Sequence, residues 1–140
     1  MDKNDFAKNI LMLNILSESA LECGGDDTQK NFLPASDKIL FLVDSYERVS
    51  PTFLTQKLRI AKSNMALMCK KLVKDGYLAQ TSDLKDKRIV YYNLTSVGKN
   101  YLTEKLSEIQ NNLEAVCMTD NIDNINSCIM DTNEMLSKRF

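Results

Sequence analysis

Histidine is absent from all 140 residues. That absence removes the usual Cys/His zinc frameworks and every triad in which an imidazole moves the proton. The four cysteines, Cys23, Cys69, Cys117 and Cys128, lie far apart and form no CxxC pair, so no metal site and no disulfide framework is expected of them. A Gly-rich phosphate loop is missing too, as is any paired-carboxylate or nucleophile–base spacing. No catalytic residue and no cofactor is therefore assigned, and an enzyme is the weakest reading.

Long apolar runs are also lacking: no segment approaches about 18 uninterrupted apolar residues, so no membrane span is expected. The N-terminal stretch MDKNDFAKNILMLNILSESALE mixes acids into its apolar positions and has no small-residue cleavage site, which argues against a secretory signal. A cytoplasmic protein with reduced thiols is expected. Low-complexity tracts are absent, and a composition of 44% hydrophobic and 26% charged residues is that of an ordered chain with room for one folded unit.

What is present is an uneven distribution of charge. The whole chain carries −1, yet residues 51–99 hold ten Lys and Arg against three Asp, a net +7, which leaves −8 for the flanks. A basic middle between acidic ends points to a module that faces a polyanion, held by segments with another task.

The pattern along the chain divides accordingly. Phe6, Ile10, Leu13, Leu16 and Leu21, widened by Met12 and Ile15, predict a helix from Asp5 to about Glu22, closed by the glycines of CGGDD. A second helix is predicted from Pro34 to about Tyr46, with Pro34 in its first turn, Asp37 at the positive end of its dipole, and Ile39, Leu40, Leu42 and Val43 inward. Ser50 and Pro51 then supply a cap and a first helical residue for the short helix TFLTQKL. After RIA, a fourth helix ends near Gly76 and places Met65, Met68, Cys69 and Leu72 on one face, the stripe of a core. Two helices joined by about three residues, the second basic on its outer side, form a helix-turn-helix.

YLAQTS and IVYYNL read as the strands of a hairpin that follows directly, which makes the module a winged helix. Asp83 and Asp86 suit the turn between them, but Lys85, Lys87 and Arg88 add nothing to turning. Thr95 suits the cap of a further helix whose Leu102, Leu106, Ile109, Leu113 and Val116 follow a heptad seam. From about Asp120 the pattern repeats with Ile122, Ile125, Ile129 and Leu136. A lone winged core cannot cover all of these faces, so a symmetric dimer built from both chain ends is the economical answer, with packing inside one chain as the alternative. Phe6, Ile10, Leu13, Leu106, Ile109, Leu113, Ile122, Ile125 and Ile129 are its expected interface.

These residues carry a resemblance. The order of elements, strongest from Ser50 to Tyr101, is similar to that of the MarR family of transcriptional regulators. The family's wing and exit motif, D-x-R followed after five residues by L-T-x-x-G, is matched by Asp86, Arg88, Leu94, Thr95 and Gly98. The stretch IAKSNMALMCKKLVKDGYL resembles the family's recognition helix, closed by Gly76, Tyr77 and Leu78. It departs at Ala61, where the family usually has a Ser or Thr cap, and at Leu67, where a polar or basic residue is common.

The resemblance implies a mainly α (α+β) fold. A winged helix-turn-helix core at 34–98 is flanked by dimerisation helices at 1–33 and 99–140, all in one domain over 1–140. It further implies a homodimer on double-stranded DNA, acting as a repressor. Ser63 and Asn64 would read base edges in the major groove, and Lys62 a base edge or a phosphate. Leu67 lies among them, and Lys70 and Lys71 would meet phosphates. In the wing, Arg88 would probe the minor groove, with Asp86 orienting it and Lys85 and Lys87 on flanking phosphates. A small aromatic or other ligand would bind between the dimer helices and the core. Cys23, at a helix end, is the candidate for a redox-sensing thiol, although Glu22, Asp26 and Asp27 would raise its pKa. A winged-helix module that docks a protein instead of DNA is the competing reading, disfavoured by the +7 segment.

Overall fold

The computed structural model describes residues 4–20, 33–116 and 121–140. Its elements are α1 (Asp5–Ala20), α2 (Ala35–Ser45), α3 (Pro51–Leu58), α4 (Lys62–Lys74), β1 (Leu78–Ser82), β2 (Val90–Leu94), α5 (Ser96–Val116) and α6 (Ile122–Ser137). This is a winged helix-turn-helix with flanking helices, mainly helical with one two-stranded antiparallel sheet. The predicted end of α1 near Glu22 and the CGGDD cap fall outside the described residues, as do Cys23 and Cys117.

Local chemistry accounts for most boundaries. The Ser50 hydroxyl accepts from the Phe53 amide at 3.1 Å, and Pro51 opens α3 where an amide would go unpaired in any case. Arg59, at φ 53°, turns the chain left-handed out of α3, and Arg59, Ile60 and Ala61 make the short link to α4. Gly76, at φ 86°, ends α4: its amide bonds to the Val73 carbonyl, and the Tyr77 amide to that of Leu72. That is the paired closure a left-handed glycine permits. In α2 the start shifts by one residue from the expectation, because Pro34 takes the cap position and its carbonyl accepts the amides of Asp37 and Lys38.

The hairpin pairs Leu78 with Leu94, Gln80 with Tyr92 and Ser82 with Val90. Val49 joins through one bridge, accepting from the Tyr92 amide at 2.9 Å. Beneath it, α2, α3 and α4 close a core in which Ile39, Leu40, Val49, Leu54, Met65 and Cys69 are all but inaccessible. The predicted α4 stripe is this core's wall: Met65, Cys69 and Leu72 are buried and Met68 is half-buried.

The exit from the wing explains why a threonine and a glycine stand where they do. Thr95 donates its hydroxyl to the Gly76 carbonyl and accepts from the Gly98 amide at 3.0 Å, capping α5 and pinning it to the end of α4. A Cβ at residue 98 would collide with the Tyr77 carbonyl oxygen, so only glycine lets α5 approach so closely. From there α5 starts inside the core at Leu102 and runs outward, with Leu106 and Leu113 exposed and Ile109 half-buried. No described residue of α6 is buried. No helix among the described residues is long and apolar enough to cross a membrane.

Candidate nucleic-acid interface

The N-terminus of α4 is presented rather than packed. Lys62, Ser63 and Asn64 are exposed, and the buried Met65 immediately after them fixes the helix to the core. Ala61 stands at the cap with no side-chain hydrogen bond, so neither it nor Ser63 covers the first-turn amides. Those amides, at the positive end of a 13-residue helix, are suited to an anion. One and two turns on, Leu67, 67% exposed, and the exposed Lys70 and Lys71 continue the same side at helical spacing.

The wing tip is held by its own acids. The Asp83 Oδ1 accepts the amides of Lys85 at 2.7 Å and Asp86 at 3.3 Å, and its Oδ2 receives the Tyr91 hydroxyl at 3.4 Å. Asp86 grips Arg88 three ways: Oδ1 takes the Arg88 amide at 3.0 Å and Nε at 3.1 Å, while Oδ2 takes Nη2 at 3.2 Å. Fork-to-fork geometry of this kind fixes the plane of a guanidinium. The Arg88 side chain is nonetheless 90% exposed, so it is oriented without being covered. Both carboxyls are held below the ordinary carboxylate value. For Asp83 the main cause is the Lys85 amide and then that of Asp86, and for Asp86 it is the Arg88 side chain and then its amide. Lys85 and Lys87 are exposed beside them. Leu84 is fully exposed at the tip.

The other predicted residues separate into two groups. Leu13, Leu106, Leu113, Ile125 and Ile129 are exposed, and Ile10, Ile109 and Ile122 half-buried. The side chains of Phe6 and Val116 are outside those described. Leu113, Ile122, Ile125 and Ile129 line a hollow of about 370 Å³ between α5 and α6, and Ile10, Leu13 and Leu136 one of about 320 Å³ between α1 and α6. Of the two described cysteines, Cys128 is exposed and Cys69 is buried. Burial pushes the Cys69 thiol up, partly offset by its hydrogen bond with Tyr92, whose hydroxyl is itself pushed up to about 12, chiefly by burial. A thiol so placed is inert.

Residues 35–90, from the start of α2 to the start of β2, match the family model described as MarR family. That match covers most of the winged core and leaves the flanking helices outside it. Over 102 residues the chain is 29% identical to the transcriptional regulator AdcR of Streptococcus pyogenes, covering 73% of this chain and 69% of that protein. Its fold is similar to that of the transcriptional regulator BldR from Sulfolobus solfataricus, with a TM-score of 0.70 at 22% identity over 99% of both chains. It is also similar to a mutant MarR from E. coli solved in complex with operator DNA, with a TM-score of 0.57 at 17% identity over 94% of this chain and 99% of that one.

Asp86 and Arg88 stand in a motif that the sequence displays, whereas one further pair comes together only in the fold. The Tyr101 hydroxyl donates to Asp37 Oδ1 at 2.8 Å across 64 residues of sequence. Neither residue carries a local signal of the other.

Proposed function

We propose that this chain is a member of the MarR family, a cytoplasmic, non-enzymatic transcription regulator that binds double-stranded DNA as a homodimer and represses transcription. In this reading the α4 head enters the major groove of each half of a pseudo-palindrome. Ser63 and Asn64 read base edges, and Lys62, Lys70 and Lys71 neutralise phosphates. The wing's Arg88 enters the adjacent minor groove, with Lys85 and Lys87 at the flanking backbone. The observation that carries the proposal is the Asp86–Arg88 fork: a cation aimed by two hydrogen bonds yet left 90% exposed. A solvated turn has no use for that order. The uncapped amides of α4 lend further support, because a phosphate supplies the partner that Ala61 cannot.

The dimer rests on the apolar surface of the ends. Leu11, Met12, Ile15 and Leu16 of α1 and Ile125, Ile129, Met130 and Leu136 of α6 are each more than 40% exposed in the single chain. A contiguous apolar surface on that scale marks an interface. Symmetric pairing would set two α4 heads and two wings on one face of the DNA. A small aromatic or other ligand lodged between these helices and the core would act by changing the separation of the heads.

The test is a fluorescence-anisotropy titration of wild-type protein and Arg88→Ala against a duplex from the gene's own upstream region and a scrambled control, at several salt concentrations. Wild-type protein should bind the first duplex specifically, with affinity falling steeply as salt rises. Arg88→Ala should cost about 1–3 kcal/mol on that duplex. Absence of binding even at low salt would replace this reading with the protein-docking module.

A further inference from the structure

A third pocket lies against the winged core. It has a volume of about 380 Å³, and its walls come from the start of α2, the last turns of α4 and the first turns of α5. Asp37, Tyr101, Tyr77, Met68, Leu40 and Leu72 are the residues that give it character. Asp37 is only 4% exposed, and its carboxylate is half served: Oδ1 receives the Tyr101 hydroxyl at 2.8 Å, while Oδ2 has no hydrogen-bond partner among the described residues. A buried carboxylate oxygen without a donor is costly, by more than a neutral group would be. The α2 dipole favours negative charge in the first turn, where Asp37 stands, but it supplies no proton donor to Oδ2. The Tyr101 hydroxyl is pushed up by burial, and then by its hydrogen bond to Asp37 and the charge of that carboxylate.

The remaining walls decide what kind of donor fits. The rings of Tyr77 and Tyr101 sit 5.2 Å apart, tilted by 52°, beside the carboxylate. Met68, Leu40 and Leu72 complete an apolar lining, and Asp75 and Lys71 also border the pocket. One carboxylate among rings and aliphatic groups is a poor cage for a metal ion, which needs several oxygen or nitrogen ligands. Among the described residues no group of three His, Cys, Asp or Glu is placed to hold one. The same lining suits a cation carried on an apolar body, through a charge-assisted hydrogen bond and ring faces together.

We propose that this pocket binds a small organic cation, an ammonium or amidinium whose N–H donates to Asp37 Oδ2 while its body lies against Met68 and the two tyrosine rings. Because Met68 and Leu72 belong to α4, an occupant would touch the helix that carries Lys62, Ser63 and Asn64.

Isothermal titration of the wild-type chain with benzamidine, benzamide and benzoate tests the site on one ring with three charges, and needs no DNA. Failure here and failure of DNA recognition are therefore separately visible. Benzamidine should bind once per chain, and at least about tenfold more tightly than benzamide or benzoate. Asp37→Asn, which keeps the shape and an oxygen for Tyr101, should weaken benzamidine by about tenfold or more. In amide-resolved NMR of the wild type, the shifts should centre on Asp37 and Tyr101, a readout that stands even if the variant fails to fold. Equal binding of benzamidine and benzamide, tighter binding of benzoate, or no benzamidine binding up to about 20 mM would overturn the proposal.

Discussion

The winged core and the terminal helices use their apolar residues in opposite ways. Every hydrophobic residue that is buried among those described lies between Ile39 and Leu102, whereas α6 buries none and α1 exposes Leu11, Met12, Leu13, Ile15 and Leu16. The core is closed by contacts within one chain. The ends are amphipathic elements that leave much of their apolar surface exposed. The difference separates two kinds of stability: one belongs to the single chain, and the other, if the ends pair as proposed, depends on how much chain is present.

The sharpest way to break this comparison is to make one change in each region. Ile39 is fully buried at the centre of α2. Ile39→Ala should lower the unfolding free energy by about 2–5 kcal/mol, through lost burial and the cavity left behind, and by the same amount at every protein concentration. Urea denaturation at two concentrations tenfold apart reads both parts. A loss under about 1 kcal/mol would mean that the core collapses around the gap and is not the rigid half of the molecule.

The second change works on the open half. Ile125 and Ile129 stand one turn apart on α6, both just over 40% exposed. Ile125→Glu combined with Ile129→Glu should weaken self-association by about 2 kcal/mol or more, the scale of central interface residues, while leaving the winged core folded. Analytical ultracentrifugation follows the first effect. Protection of the Tyr92 and Cys69 amides from hydrogen exchange follows the second. A variant that remains as dimeric as the wild type would show that α6 packs within its own chain and is not an interface.

The same division governs what could be read in advance. Elements whose signals are local were legible: Ser50-Pro51 before α3, Gly76 after α4, the period of Met65, Cys69 and Leu72, and Asp83 and Asp86 at the turn. These residues fix dihedrals or one face within a few positions, so a single chain displays them. The start of α2 differs by one residue from the expectation because proline suits both the cap and the first helical position. What could not be read depends on contacts between distant segments. The Asp37–Tyr101 bond spans 64 residues, and the need for glycine at residue 98 comes from the Tyr77 carbonyl, which only the folded chain brings there. The motif pointed to Gly98 but carried no reason for it.

The wing tip is a third case, with few apolar contacts and an order imposed by charge. Asp86 and Asp83 are both held below the ordinary carboxylate value, but for different reasons: the Arg88 guanidinium leads for Asp86, and backbone amides lead for Asp83. A depressed value in the folded chain stabilises the turn above the unfolded carboxylate pKa of about 3.9, and that support is lost as pH falls through the depressed value. Following the side-chain carboxyl carbons by NMR from pH 6 to about pH 2 should place both midpoints low in the wild type. In Arg88→Ala the Asp86 midpoint should rise only part of the way, because the backbone amide at residue 88 still donates to it, and Asp83 should not move. A rise in both would mean that Arg88 orders the whole turn. No rise in either would leave the guanidinium in solvent, and with it the strongest reason to expect an anion at the tip.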